Sequence, residues 1–166
     1  FPAYKEDKVI IPAIYSFLQQ DYPRELYDII VISDQMQEST NEALRQLPVR
    51  LLIADYTDSS KAKAMSLAMN ATADIPYDAV VIMDADNTAG TSFLSELNPV
   101  FQSGARAVQA HRTAKNTNTD IAVLDAASEE INNSIFRSGH IALGLSSALI
   151  GSGMALEACW FRQHIH

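Results

Sequence analysis

Residues 79–90 read AVVIMDADNTAG, a run suited to a buried strand that ends in two carboxylates, Asp84 and Asp86, one alanine apart. Acids placed this way serve two kinds of chemistry. In one, the first carboxylate attacks phosphorus, and Asp84-Ala85-Asp86-Asn87-Thr88 has the Asp-x-Asp-x-Thr spacing that such a nucleophile uses. In the other, the pair holds one divalent cation against a diphosphate, because a turn beyond the strand lets both acids reach the same ion. Oxygen ligands with no His or Cys close by favour Mg2+ or Mn2+ over zinc. The plain alternative is that Asp84 to Thr88 only turns the chain and caps the helical pattern that begins at Ser92.

Carboxylates can meet a ligand only if the elements behind them converge. Four apolar runs predict strands at 27–33, 49–54, 78–83 and 105–110, and the first three are Val- and Ile-rich with little alternation, as in strands covered on both faces. Helical patterns separate them. Residues 8–20 carry Ile10, Ile14, Phe17 and Leu18 on one face, with Pro12 tolerable only near the first turn. Ser39-x-x-Glu42 reads as a capping box opening a helix to Leu47. Residues 60–72 are rich in Ala and Met, and 92–101 form a fourth helix closed by Gly104. This alternation predicts an α/β fold with a mostly parallel sheet and helices on both faces. Such sheets bind ligands at the carboxyl ends of their strands, where Asp34 as well as Asp84 and Asp86 fall. Beyond Ala110 the pattern predicts a loop at 112–120, a helix at 121–137, and a short apolar segment at 149–156 bent by Gly151 and Gly153.

The 166 residues are 48% apolar and 19% charged, enough to bury a core and expected to form a single domain over 1–166. A net charge of -8 with no Lys/Arg cluster argues against a nucleic-acid partner. The single cysteine, Cys159, forms no internal disulfide, and neither it nor His111, His140, His164 and His166 shows zinc spacing, so a reducing compartment is expected. No apolar run approaches the roughly 20 residues that span a bilayer. Phe1-Pro2-Ala3-Tyr4 reads as the end of a strand begun upstream, so a longer parent chain is expected.

An ordered series of segments carries a resemblance. Phe1-Pro2-Ala3-Tyr4-Lys5-Glu6, Gln20-Asp21-Tyr22-Pro23, Ile29 to Asp34, Ser39-Thr40, Lys61-Ala62-Lys63-Ala64, Val80 to Asn87, Phe93-Leu94, Ala107-Val108-Gln109 and Gly151-Ser152-Gly153-Met154-Ala155 together resemble the processive, cellulose-synthase-like members of glycosyltransferase family 2. The resemblance implies a GT-A type, Rossmann-like fold. It implies that Pro2, Ala3, Tyr4 and Glu6 line a nucleoside pocket, with Lys5 where Asn is usual, and that Asp34 reads the base. The family's Asp-x-Ser-x-Asp-x-Thr run is degraded here, with Glu38 standing for its second Asp. Lys61 matches the nucleotide-binding lysine, Asp84 would contact ribose or metal, and Asp86 would ligate Mg2+ or Mn2+.

The implied reaction is inverting transfer from a nucleoside-diphosphate sugar, UDP-sugar favoured, to a hydroxyl of a glycan or lipid-linked acceptor. Its general base, a later Glu-Asp or Thr-Asp element in the family, has no counterpart up to His166, so the expectation is a donor-binding half without transfer activity of its own. The parent would work at the cytoplasmic face of a membrane, attached through parts absent from this chain. A haloacid dehalogenase-type phosphatase would instead place its nucleophile after the first strand and draw later acids from strand ends, whereas Asp120, Asp125, Glu129 and Glu130 lie in loop or helical patterns. A sugar-phosphate nucleotidyltransferase would need a Gly-rich amino-terminal loop with a basic residue, which is missing. A non-catalytic nucleotide-binding module is the third alternative.

Overall fold

The structure is a computed structural model that describes residues 1–114 and 118–165. Strands β1 (Pro2–Tyr4), β2 (Ile30–Asp34) and β3 (Arg50–Ala54) form a parallel sheet in the order β1-β2-β3, with Tyr4 level with Asp34 and Asp34 level with Ala54. That register brings the three carboxyl ends to one edge. Helices α1 (Ile10–Leu18) and α2 (Glu38–Arg45) cover one face. Their contacts form a core of Ile10, Ile14, Phe17, Val31 and Leu44 that also takes in Met83 and Ala85. Each of Ile10, Ile14, Val31 and Leu44 is fully buried, worth about 1.5–3 kcal/mol apiece.

Helix α3 (Lys61–Ala71) covers the other face, where Ile32, the next residue along β2, meets Ala54 and Ala64. Adjacent residues of β2 thus feed opposite layers, as the two-residue period requires. The far end of α3 also covers a second sheet, through Met69 against Ile82, Leu156 and Phe161. This sheet holds β4 (Ala79–Ile82), β5 (Ala107–Gln109) and β6 (Met154–Glu157) in the order β4-β6-β5, with β6 antiparallel to both neighbours. Because β4 and β5 both run against β6, they are parallel to each other, and their carboxyl ends share one edge.

The remaining elements are a single 3-10 turn (Arg24–Leu26), α4 (Phe93–Gln102), α5 (Asp120–Ile131), a run of wider turns at 132–139, the short α6 (His140–Ala142) and α7 (Ala158–His164). The expected α/β class and all four predicted strands and helices up to 110 are present. Gly104 ends α4 in the left-handed region at φ 96°, as its position predicts.

Three local expectations are corrected. The segment 149–156 is a bend followed by a strand, not just an apolar stretch, and it inserts between β4 and β5. The strand expected from Tyr27 begins only at Ile30, since Arg24 donates to the carbonyls of Tyr27 and, at 2.6 Å, of Pro48. The capping box at Ser39 and Glu42 does not form. Helix α2 starts at Glu38, and Asp7, 30 positions away, accepts from the Gln37 amide at 2.8 Å. A hydrogen bond from the Thr40 side chain and that amide hold the Asp7 carboxyl below its ordinary value of 3.8. By contrast, Ser60 caps α3 locally, accepting from the Lys63 amide at 3.2 Å.

Candidate functional site

The carboxyl ends of β1 and β2 and the turn after β4 meet around a cleft of about 660 Å³. Pro2, Ala3, Tyr4 and Glu6 line it from the end of β1, and Asp34 from the end of β2. Lys61 enters from the first turn of α3, and Asp84 and Asp86 from the turn after β4. Eight of the nine residues nominated from the sequence, Glu38 excepted, therefore line one cleft, though they come from four separate segments. Its volume lies within the range of small-molecule sites. A second, apolar cavity of about 170 Å³ lies between β1 and β4 among Phe1, Phe17, Met69 and Val80, without the convergent charges that would do chemistry.

Strand ends make sharp turns into the cleft. Lys5 and Gln35, directly after β1 and β2, both sit in the left-handed region at φ 56° and 52°, and the Lys5 amide donates to the Asp34 carbonyl at 3.1 Å. A non-glycine residue there is uncommon and strained. Asp34 is 3% exposed, and its Oδ1 accepts from the Ser59 hydroxyl at 3.0 Å, which fixes a buried carboxylate at the cleft floor. Tyr4 stands half-exposed at the mouth.

Lys61 joins two walls. Its ammonium is ion-paired with Asp84 Oδ1 and donates to the Gly151 carbonyl at 2.6 Å. Gly151 is favoured here by φ 79°, a conformation that other residues rarely adopt. Five carboxylates (Glu6, Asp34, Asp58, Asp84 and Asp86) line the cleft against one basic side chain, Lys61. That balance repels a phosphate group unless cations accompany it.

The donor set fits a hard cation. Asp84 and Asp86 offer oxygen, while among the described residues no group of three or more His, Cys, Asp or Glu side chains could hold a metal. Two carboxylates with the remaining positions left to water and substrate phosphates is how Mg2+ and Mn2+ are commonly bound, unlike a closed structural zinc site.

Some expectations are not met. Glu38 is exposed and lies outside the cleft wall, its carboxylate held by Arg45 and, at 3.3 Å, by Asn41. The Arg45 guanidinium first and Asn41 second hold it below its ordinary value. It therefore does not stand for the family's second Asp, because α2 begins at this residue and turns it toward its own helix. Of the later acids, Glu129 pairs with Arg137 and Glu130 with His111, away from the cleft, and Asp120 opens α5. The Asp125 side chain and His166 lie outside the described residues. Gln35, Thr57, Asp58, Ser59 and Ser60 also line the cleft and were not anticipated. The polar Thr57-Asp58-Ser59-Ser60 run, two residues beyond β3 and ending in the cap of α3, was the available signal. Among the described residues, no helix is long and apolar enough to cross a membrane.

Comparison with known proteins places this geometry. No curated protein matches the chain. Among solved structures, S. aureus TarS 1–349 in complex with UDP superimposes with a TM-score of 0.71 at 13% identity, over 98% of this chain and 46% of that one. The mannosyltransferase PcManGT from Pyrobaculum calidifontis, in complex with GDP-Man and Mn2+, gives 0.66 at 18% identity over 98% and 44%. Glucosyl-3-phosphoglycerate synthase from Mycobacterium tuberculosis, with UDP, gives 0.59 at 17% over 95% and 55%. The chain spans about half the length of each, and at these identities the likeness shows the GT-A fold. The family described as glycosyltransferase like family 2 matches residues 1–160, and the chain belongs to it.

Proposed function

We propose that residues 1–166 form a single unit, the donor-nucleotide half of a glycosyltransferase, taking a nucleoside-diphosphate sugar with Mg2+ or Mn2+. The observation that carries this reading is the convergence of Pro2, Ala3, Tyr4, Glu6, Asp34, Lys61, Asp84 and Asp86 on one acidic cleft. Pro2, Ala3 and Tyr4 bound the nucleoside. The fixed Asp34 carboxylate accepts an N–H of the base, and a uracil offers one such donor edge. Lys61 donates to the diphosphate, and Asp84 and Asp86 would hold the metal. When bound, the cation supplies Lewis-acid neutralisation of the charge that builds on the leaving diphosphate. The UDP, GDP-Man and Mn2+ carried by the structural neighbours support a nucleotide-sugar donor, UDP-sugar favoured.

Transfer is read as inverting, onto a glycan or lipid-linked hydroxyl, within the processive, cellulose-synthase-like branch that makes polysaccharide. The general base is assigned to sequence beyond residue 166, and the parent to the cytoplasmic face of a membrane. The chain alone then binds nucleotide without transferring sugar.

Calorimetric titration with UDP and GDP, with and without Mn2+, tests the reading alongside Asp86→Ala. The expected result is Mn2+-dependent binding of one diphosphate that the variant loses. Binding of neither diphosphate, or equal binding by the variant, refutes it.

A further inference from the structure

We propose that Ser152 and Gln109, which do not line the cleft, are positioning residues for the Asp84-Ala85-Asp86 turn, so that the bend before β6 sets how well the carboxylates hold a cation. This inference rests on the donor-site reading above. Ser152 is fully buried, and its hydroxyl oxygen accepts two hydrogen bonds from the far side of the turn. One comes from the Asp84 amide at 2.9 Å and one from the Asn87 side-chain amide at 2.6 Å. The turn closes on itself through the Asn87 amide and the Asp84 carbonyl at 3.1 Å. One buried oxygen thus ties Asp84 to Asn87, the residue directly after Asp86, and so brackets the two carboxylates.

Gln109, at the end of β5, fixes the backbone that carries Ser152 in turn. Its side-chain amide donates to the carbonyls of Ser152 at 2.9 Å and Gly153 at 3.2 Å, and its side-chain oxygen accepts from the Ile150 amide at 3.0 Å. Both ends of the bend are therefore gripped by one side chain. A side chain at Gly153, where φ is 65°, would stand 3.6 Å from the Gln109 amide nitrogen. The same bend presents the Gly151 carbonyl to Lys61. A single rigid loop, clamped by Gln109, thereby places the backbone under Asp84 and the carbonyl that anchors Lys61. Groups that orient metal ligands through such contacts typically change metal affinity by about 10- to 100-fold when removed.

The test uses Ser152→Ala and the milder Asn87→Ala, which takes away one of the two donors from a partly exposed position. Two readouts apply to each: amide hydrogen exchange in the ligand-free chain, and the affinity for Mn2+ at a fixed concentration of UDP or GDP, whichever the unaltered chain binds. The expected result for Ser152→Ala is faster exchange at Asp84, with protection in β4 kept at Val80 and Val81, and Mn2+ affinity reduced about 10- to 100-fold. Asn87→Ala shifts Mn2+ affinity in the same direction by less, and little further loss appears when the two are combined. Unchanged Mn2+ affinity in both variants overturns the inference while leaving the donor-site reading intact. So does a parallel loss of protection throughout β4 and β6, which marks a merely structural contact. Absence of metal-dependent nucleotide binding in the unaltered chain overturns both.

Discussion

Replacing Lys61 with Met should move two affinities in opposite directions. In the ligand-free chain the ammonium sits on Asp84 Oδ1, an oxygen a cation would need, with side-chain exposures of 37% and 42% for the two partners. A pair this exposed is screened by water, so it contributes at most about 1 kcal/mol. A cation arriving alone must break that pair and remain beside a positive charge. Lys61→Met removes both obstacles, and Mn2+ without nucleotide should bind more tightly, by up to about fivefold from the lost pair alone, at about 1.4 kcal/mol per factor of ten. The diphosphate behaves in the opposite sense, because it takes the ammonium away from Asp84 as it arrives. A hydrogen bond from a charged donor is worth about 1.5–3 kcal/mol, so the variant should bind UDP with Mn2+ about 10- to 100-fold more weakly. The assay is calorimetry of Mn2+ alone and of UDP at saturating Mn2+, with a thermal melt to show that the variant is folded. Weakening of both affinities, or no change in either, would refute the exchange of Lys61 between Asp84 and phosphate and leave it a surface charge.

Two further outcomes follow from the same geometry. Lys5 adopts φ 56°, where a side chain other than Asn, Asp or Gly is strained, so Lys5→Asn should stabilise the chain by about 0.5–1 kcal/mol despite losing the ammonium seated 4.9 Å from the Tyr4 ring centroid. A thermal melt should rise by about 1–4 °C, and a fall would mean that the turn after β1 is not strained. Burial, followed by the hydrogen bond to Asp28, pushes the Tyr77 phenol up from 10.0 to about 12. A raised value favours the neutral phenol in the folded state, so its contribution is complete below pH 10 and lost as pH rises toward 12. Spectrophotometric titration should show one late-ionising tyrosine that Tyr77→Phe removes, and a titration complete near pH 10 would exclude the shift.

What the sequence disclosed and what it hid divide by distance along the chain. Asp34, Asp84 and Asp86 were legible because each directly follows an apolar run, and strand ends are where a parallel sheet presents its ligands. Lys61 was legible only through its match to the family's lysine, because a lysine at a helix start is otherwise an ordinary solvated charge. The groups that hold these residues in place act from far away. Ser152 meets the Asp84 amide from 68 positions along, Asp7 caps α2 from 30 positions back, and β6 pairs with β4 and β5 in only four residues with no alternation to announce it. Glu38 failed for the converse reason. Its place in a degraded motif suggested a ligand, but Arg45 and Asn41 on its own helix claimed the carboxylate, a choice of partner that spacing cannot express. The acids of the candidate site are thus set by where strands stop, which periodicity reveals. Residues that aim them are set by which loops meet, so a substitution at Ser152 or Gln109 should disturb the site while leaving Asp34, Lys61, Asp84 and Asp86 themselves unchanged.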